Sequence, residues 1–376
     1  MAIPESGRGA SPDSDLKGKK RITRRTFFLA LGVALGGAAG TLRLVDNLNS
    51  PPTPETGAQP SSLLRIENGQ IIDGKQVIGA AGPNLYSITN IEGCGYPNPV
   101  TPLYQRTILQ VIRSQGYDTA RGWHFQTEGP ADASRQSLEN LVQVAEELNM
   151  RLVLTLAGND TDGCGQKAKD PSWYAGGYKK DGYLAYLTDV ERTLQGTNNV
   201  ILELHNETGN GADLDPRTVN EFFRTGADAI KSVNPNRLVT GSFLLGNSLT
   251  QPSNLKQVLD GKPIDILDLH FYPSCPLPYE AIQIAAAFQM PVFIGEVGVN
   301  PKYLGQYLFL FNELRKHPNV FGLFSWGEKI VDPSGNILYQ TTDGYGFDPD
   351  SETASLFQAF APIFEHPKPN QQNKHL

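Results

Sequence analysis

Two stretches hold the residues best able to do chemistry. "VILELHNETG" (200–209) is an apolar run that breaks into His205, Asn206 and Glu207, and "VFIGEVGV" (292–299) sets Glu296 among apolar neighbours. An acid in such surroundings is costly to bury unless it is paired or functional. Two carboxyl groups facing one another could cleave a glycosidic bond: one protonates the leaving oxygen, and the other attacks the anomeric carbon or activates water. The commoner fate of a Glu is a salt bridge with a surface Lys or Arg, and Glu296 fits that poorly. Asn84, Arg121, Asn159, His270, Tyr272 and Trp326 stand where other apolar runs end.

The elements that must position these residues alternate from Leu63 onward. Short β-rich runs end near Tyr86, Trp123, Ala157, Leu204, Ser242, His270, Glu296 and Trp326. Longer helical patterns separate them. In "SRQSLENLVQVAEELNM", Leu138, Leu141, Val142, Val144 and Leu148 share one broad face,. "DPRTVNEFFRTGADAIKSV", "LGQYLFLFNELRKH" and the closing "SETASLFQAFAPIF" read the same way. Eight strand-then-helix units predict the α/β class, a (β/α)8 TIM barrel forming a single catalytic domain. A doubly wound open sheet is disfavoured, since no Gly-x-Gly-x-x-Gly follows an early strand.

A barrel builds its active face from strand C-termini, which is where the polar residues cluster. It also makes a geometric demand. Strand alternation puts His205 and Glu207 on one face and Asn206 on the other. If Asn206 and Glu207 serve one pocket, regular pairing must stop near His205.

Composition narrows the function class. The chain has a formal net charge of −7 although residues 1–25 carry seven Lys/Arg against three Asp/Glu. The remainder is therefore acidic, which argues against nucleic acid as a partner. About 39% of the residues are hydrophobic, enough for a sizeable core,. "KRITRRTFFLALGVALGGAAG" has a basic segment, an apolar segment and then small residues. The Arg24-Arg25 pair ahead of Phe27–Leu42 reads as a twin-arginine export signal, shorter than the ~20 residues a spanning helix needs,. Export to the periplasm or the extracellular space through the twin-arginine machinery is the expectation, with anchoring by an uncleaved signal as the alternative. The boundaries are then residues 1–45 for the signal, 46–62 for a Pro/Ser/Thr-rich linker, 63–366 for the barrel and 367–376 for a polar tail,. Cys94, Cys164 and Cys275 lie in Gly- or Pro-flanked stretches, and an odd count leaves at least one thiol unpaired in a monomer,.

Together, "HNE" after a fourth strand, "HFYP" after a sixth, "GEVG" at a seventh and "FSW" at an eighth resemble glycoside hydrolase family 5. "ARGWHF" followed by "LTLAGNDTDGCG" is similar to the endo-β-mannanases of that family, although Thr208 replaces the usual Pro after Asn-Glu. The resemblance implies retaining cleavage of a β-linked polysaccharide or oligosaccharide, a mannan or a glucan, without cofactor or metal; a monomer is the expectation, although the sequence does not fix the oligomeric state. It implies Glu207 as acid/base and Glu296 as nucleophile. Arg121 and Tyr272 would support Glu296, Asn206 would hold the sugar 2-hydroxyl, and His270 would lie near the acid/base. Trp326 would form the floor under the sugar.

Trp123, Trp173, Tyr174 and Tyr178 are further aromatic candidates for sugar stacking, with core packing as the competing use, and for Phe271 packing is the expectation. Two other classes remain to be weighed: a carbohydrate-binding barrel without catalysis, and a metal-dependent hydrolase using His205, Glu207 and His270. The chain has only six His and no His-x-His or His-Glu-x-x-His spacing,.

Overall fold

A computed structural model describes residues 64–86, 88–89, 100–126, 131–158, 169–298, 301–327, 329–339 and 351–365. The predicted signal, linker and tail, together with Asn159, Cys94 and Cys164, lie outside the described residues.

Eight parallel strands close into a barrel: β4 (Ala80–Leu85), β5 (Thr119–Trp123), β6 (Arg151–Thr155), β7 (Val200–Glu203), β8 (Val239–Leu244), β9 (Ile266–Phe271), β10 (Val292–Gly298) and β11 (Val320–Trp326). Each strand ends within two residues of its sequence-based position. Helices run between them: α1 (Pro102–Ser114), α2 (Ala131–Glu147), α3 (Pro171–Tyr174), α4 (Tyr183–Thr193), α5 (Pro216–Lys231), α6 (Pro252–Val258), α7 (Tyr279–Ala287) and α8 (Leu304–Leu314), with α9 (Glu352–Glu365) after the last strand. In α5, the Asp215 side chain accepts from the Thr218 amide, and Pro216 sits where no amide hydrogen is needed,. Val219, Phe222, Phe223, Ala227 and Ile230 are the buried stripe of that helix,.

The strands β1 (Arg65–Glu67), β2 (Gln70–Asp73) and β3 (Gln76–Ile78) form a separate antiparallel meander. Its turn chemistry is explicit in the sequence: Asn68-Gly69 joins β1 to β2, and both residues take positive φ, 52° and 75°,. Leu64, Ile71 and Ile78 pack with Val153, Ile201, Ile266, Phe293 and Phe321. Those five lie near the starts of their strands, so the meander closes the barrel floor, away from the strand C-termini that carry the polar cluster.

Two local departures from regular strand geometry shape the mouth. The regular ladder of β7 ends at Glu203, single backbone bonds to β8 and to the end of β6 continue as far as Thr208, and Glu207 adopts φ 48°. A non-glycine residue in the left-handed region costs roughly 1–3 kcal/mol. On β10, Ile294 pairs with Leu269 while Glu296 pairs with His270, so Gly295 is an extra residue. This bulge lets Gly295 and Glu296 both face the barrel interior, which strict alternation forbids.

Candidate active site

Arg121 on β5 is the hub. Its guanidinium is fully buried and carries five N–H donors, and all five are used,. Nε and Nη2 donate to the two oxygens of Glu203 at 2.8 and 2.9 Å. Nη1 donates to Asn84 Oδ1 and to Glu296 Oε1, both at 2.8 Å, and the second Nη2 hydrogen goes to Asn206 Oδ1 at 2.8 Å. Burial alone would weaken the charge, but the fields of Glu203, Glu296 and Asp268 outweigh it and raise the guanidinium pKa. The carbon of the guanidinium stands 4.4 Å from the Trp123 ring centroid,.

Glu296 and Glu207 face each other across the mouth. Glu296 accepts from Arg121 and from the Tyr272 hydroxyl at 2.6 Å. The Tyr272 ring lies flat against Gly298, where a Cβ would stand 2.0 Å from it. Glu207 accepts from Asn210 Nδ2 at 2.7 Å, and its amide donates to Ser242 Oγ at 2.8 Å. His270 Nδ1 lies 3.1 Å from Glu207 Oε1 and 3.4 Å from Glu296 Oε2. Oxygens of the two carboxyls and this nitrogen all fall within 4.8 Å of one another.

Burial pushes both carboxyls upward. For Glu296 the push is opposed by His270 and Arg121 and reinforced by Glu207; for Glu207 it is opposed mainly by Asn210. Only Glu296 touches a full positive charge, so of the two it ionises more readily. Burial also drives His270 down to about 4, so the imidazole is neutral at neutral pH.

The sequence-predicted residues divide by what they reach. Arg121, Asn206, Glu207, His270, Tyr272 and Glu296 converge at the mouth. Asn84 is fully enclosed: besides accepting from Arg121, its Nδ2 donates to the carbonyls of Gly295 and Ser325, so it braces the barrel instead of facing a ligand. Trp123 is 0% exposed and packs edge-on against Trp326, with ring centroids 5.7 Å apart. It is a support for Trp326, which is itself partly exposed.

Packing decides two of the open alternatives. Trp173, Tyr174 and Tyr178 are buried in an aromatic cluster with Phe222, so they pack the helix layer and offer no sugar platform. His205 belongs to that cluster too, its Nε2 lying 3.0 Å from the Tyr174 hydroxyl. The His205 ring thus lies among helix-layer aromatics, and among the described residues the trio His205, Glu207 and His270 is not assembled. Phe271 is buried, as packing requires.

Sequence reasoning missed Glu203, Asp268 and Asn210. Glu203 and Asp268 are 0% exposed beneath the mouth. Both carried the signal that singled out Glu296, an acid inside an apolar run, in "VILEL" and "IDILDLH". Glu203, Asp268 and His270 also come within 4.8 Å of one another. Arg121 already supplies the cation these acids need, and a second cation beside it would be repelled.

Beside Glu207 a cleft of about 550 Å³ opens between the segments that follow β7, β8 and β9. Asn210, Asp213, Asn247, Ser274, Cys275 and Pro276 are among its lining residues. Asn210 thus borders the cleft and holds Glu207. Cys275 carries a free thiol, pushed up by its burial.

The sequence profile of the family described as Cellulase (glycosyl hydrolase family 5) matches residues 101–306. The fold is similar to that of an endo-β-1,4-mannanase from Thermotoga petrophila, at 19% identity and TM-score 0.61 over 80% of this chain and 79% of that one. It is similar to a family 5 mannosidase from Rhizomucor miehei, at 13% identity and TM-score 0.60 over 82% and 98%. A protein described as a cellulase matches at 12% identity and TM-score 0.60 over 81% and 94%. No curated protein matches the sequence.

Proposed function

The chain belongs to glycosyl hydrolase family 5, and from that premise we propose that it cleaves a β-linked mannan or glucan by double displacement with retention. Glu296 is the nucleophile and Glu207 the acid/base. The observation that carries this reading is the asymmetry of two close carboxyls. One oxygen of each lies within 4.8 Å of the other, in line with the close-set carboxyl groups of retaining enzymes, roughly 5–5.5 Å apart. Of the two carboxyls, Glu296 is the one that accepts from Arg121 and Tyr272.

In the first step Glu207 gives its proton to the glycosidic oxygen while Glu296 Oε2 or Oε1 bonds to the anomeric carbon, and the leaving sugar departs. Asn210 and the cleft beside Glu207 put that leaving part on the side of β7 to β9. In the second step Glu207 takes a proton from water, the water oxygen bonds to the anomeric carbon, and the Glu296–sugar bond breaks. The charge on Glu207 alternates during the cycle, which suits a group held by a neutral amide and imidazole rather than by a cation. Glu296 must be ionised at the outset, which suits the arginine contact. Trp326 offers its exposed part to the sugar at the cleavage point, and Asn206, oriented by Arg121, has its amide nitrogen for the 2-hydroxyl.

The twin-arginine pattern at Arg24-Arg25 supports export, and the mature protein meets its polymer outside the cytoplasm,. The test is incubation with β-mannan, β-glucan and xylan, product sizing, and proton NMR of the first anomer released. Hydrolysis with release of the β-anomer is expected. Release of the α-anomer, or no hydrolysis of any β-glycan, overturns the reading.

A further inference from the structure

Asp268 stands one layer below the catalytic pair and takes no part in the chemistry described so far. Its carboxyl is fully buried, and Oδ1 accepts the Gly295 amide at 2.7 Å. The fit is tight: a Cβ at Gly295 would stand 2.2 Å from both Asp268 oxygens. Oδ2 has no hydrogen-bond partner among the described residues. The charged and titratable groups facing it are Arg121 from β5, Glu203 from β7, Glu296 from β10, and His270 on its own strand.

Hydrogen-bond accounting settles the charge. Arg121 Nε is 3.8 Å from Oδ2, but all five guanidinium donors go elsewhere. An ionised Asp268 would be a buried anion with a single amide donor, next to two more carboxylates and one already committed cation. That is the arrangement in which a carboxyl keeps its proton. Burial and the field of Glu203 act in the same direction, well above the usual carboxylate range.

A neutral Asp268 has an O–H to donate. Glu203 already accepts two bonds from Arg121 and one from Thr155 Oγ1 at 2.7 Å. His270 Nε2 has no partner among the described residues and lies 3.9 Å from Asp268 Oδ1. A protonated Oδ1 can keep the Gly295 amide as its donor while giving its own hydrogen to the buried, unpartnered Nε2, and a movement of roughly 1 Å brings the two to normal hydrogen-bond length,.

We propose that Asp268 is a positioning residue that donates its carboxyl proton to His270 Nε2 and so fixes the imidazole as the Nδ1–H tautomer. The ring proton then lies between Glu207 and Glu296. Nδ1–H donates to the Glu296 carboxylate before attack and to the Glu207 carboxylate after its proton has left. No net proton transfer to or from Asp268 occurs. The opposite tautomer would turn an imidazole lone pair toward two acids and repel each as it became charged.

The role rests on the double-displacement reading, but its decisive test does not need turnover. Nitrogen NMR of the unaltered protein labelled with 15N-histidine, with His270 assigned by its loss in His270→Asn, reads the tautomer directly. A protonated Nδ1 and a pyridine-type Nε2 are expected near neutral pH; a protonated Nε2 overturns the proposal, whatever the substrate proves to be. In kinetics, Asp268→Leu should lower kcat about 10- to 100-fold, the worth of one hydrogen bond to a charged group. Asp268→Asn, whose amide can donate to Nε2, should recover most of that loss and retain the Nδ1–H signal. An Asn variant as impaired as the Leu variant, with a protonated Nε2, refutes the role. If the Leu variant does not fold, the spectrum of the unaltered protein still decides.

Discussion

Glu203→Gln tests the central structural finding, that one buried cation organises the mouth. Glu203 is 0% exposed and accepts three hydrogen bonds, from Arg121 Nε, Arg121 Nη2 and Thr155 Oγ1 at 2.8, 2.9 and 2.7 Å. A glutamine keeps the shape but replaces one acceptor by an NH2 group that faces an arginine N–H, and it removes the charge. Breaking a buried ion pair from one side costs about 3–5 kcal/mol, and here the guanidinium is left with Glu296 as its remaining paired carboxylate. Urea unfolding followed by tryptophan fluorescence and circular dichroism should show a fall of that size with the slope unchanged. The double variant Glu203→Gln/Arg121→Met removes the stranded charge, so its loss should be smaller than the sum of the single losses. Activity of Glu203→Gln should drop as well, because the same guanidinium orients Asn206 and Glu296. A destabilisation below about 1 kcal/mol, or strict additivity in the cycle, would refute the hub.

Tyr272→Phe leaves the ring on Gly298 and removes only the donor to Glu296, so kcat/KM should fall by roughly 10-fold or more with little loss of stability. Burial raises the Glu296 carboxyl, and Tyr272 is among the groups opposing that rise, so the acidic limb of kcat/KM should move to higher pH; a limb that stays put contradicts the assignment. With a dinitrophenyl glycoside, azide should restore turnover to Glu296→Ala with an α-glycosyl azide as product, and to Glu207→Ala with a β-glycosyl azide. Exchanged or identical products would reverse or remove the assigned roles. His205 is buried in the aromatic cluster, and burial drives its pKa from 6.5 to about 3. The unfolded chain therefore binds a proton below pH 6.5 that the folded protein refuses until about pH 3. Stability is full above pH 6.5 and falls through that window by about 1.4 kcal/mol per pH unit. His205→Phe should flatten this dependence, and equal slopes in the two proteins would show that His205 is not held neutral.

The eight strands, their order and the placement of reactive groups at their ends were legible in the sequence. Burial of a strand writes itself as an apolar run, and burial of a helix as a stripe at helical spacing. The meander at 65–78 was equally legible through Asn68-Gly69 and Asp73-Gly74, yet it precedes the alternating pattern and went unread. For the aromatic residues, composition could not separate two uses. Trp173 and Tyr174 pack as core and Trp326 stays partly exposed because of where each stands on the barrel, and no local pattern encodes that.

The sequence by itself determined that Glu207 and Glu296 would lie close to the C-terminal ends of strands four and seven, since each breaks an apolar run at the end where a barrel opens. It also implied that regular pairing must stop before Glu207. Only the tertiary structure decided how the break is made, with a left-handed Glu207 and a bulge at Gly295 aiming two acids at one point. It alone decided which acid receives the arginine, because the partners of Arg121 lie 37 to 175 residues away along the chain. A charge is assigned by the number of donors within about 3 Å, and donors gathered from five strands and their ends have no shared address in the sequence. Glu203 and Asp268 carry the same sequence signal and end in opposite states, the first bonded twice to the guanidinium and the second left with a proton.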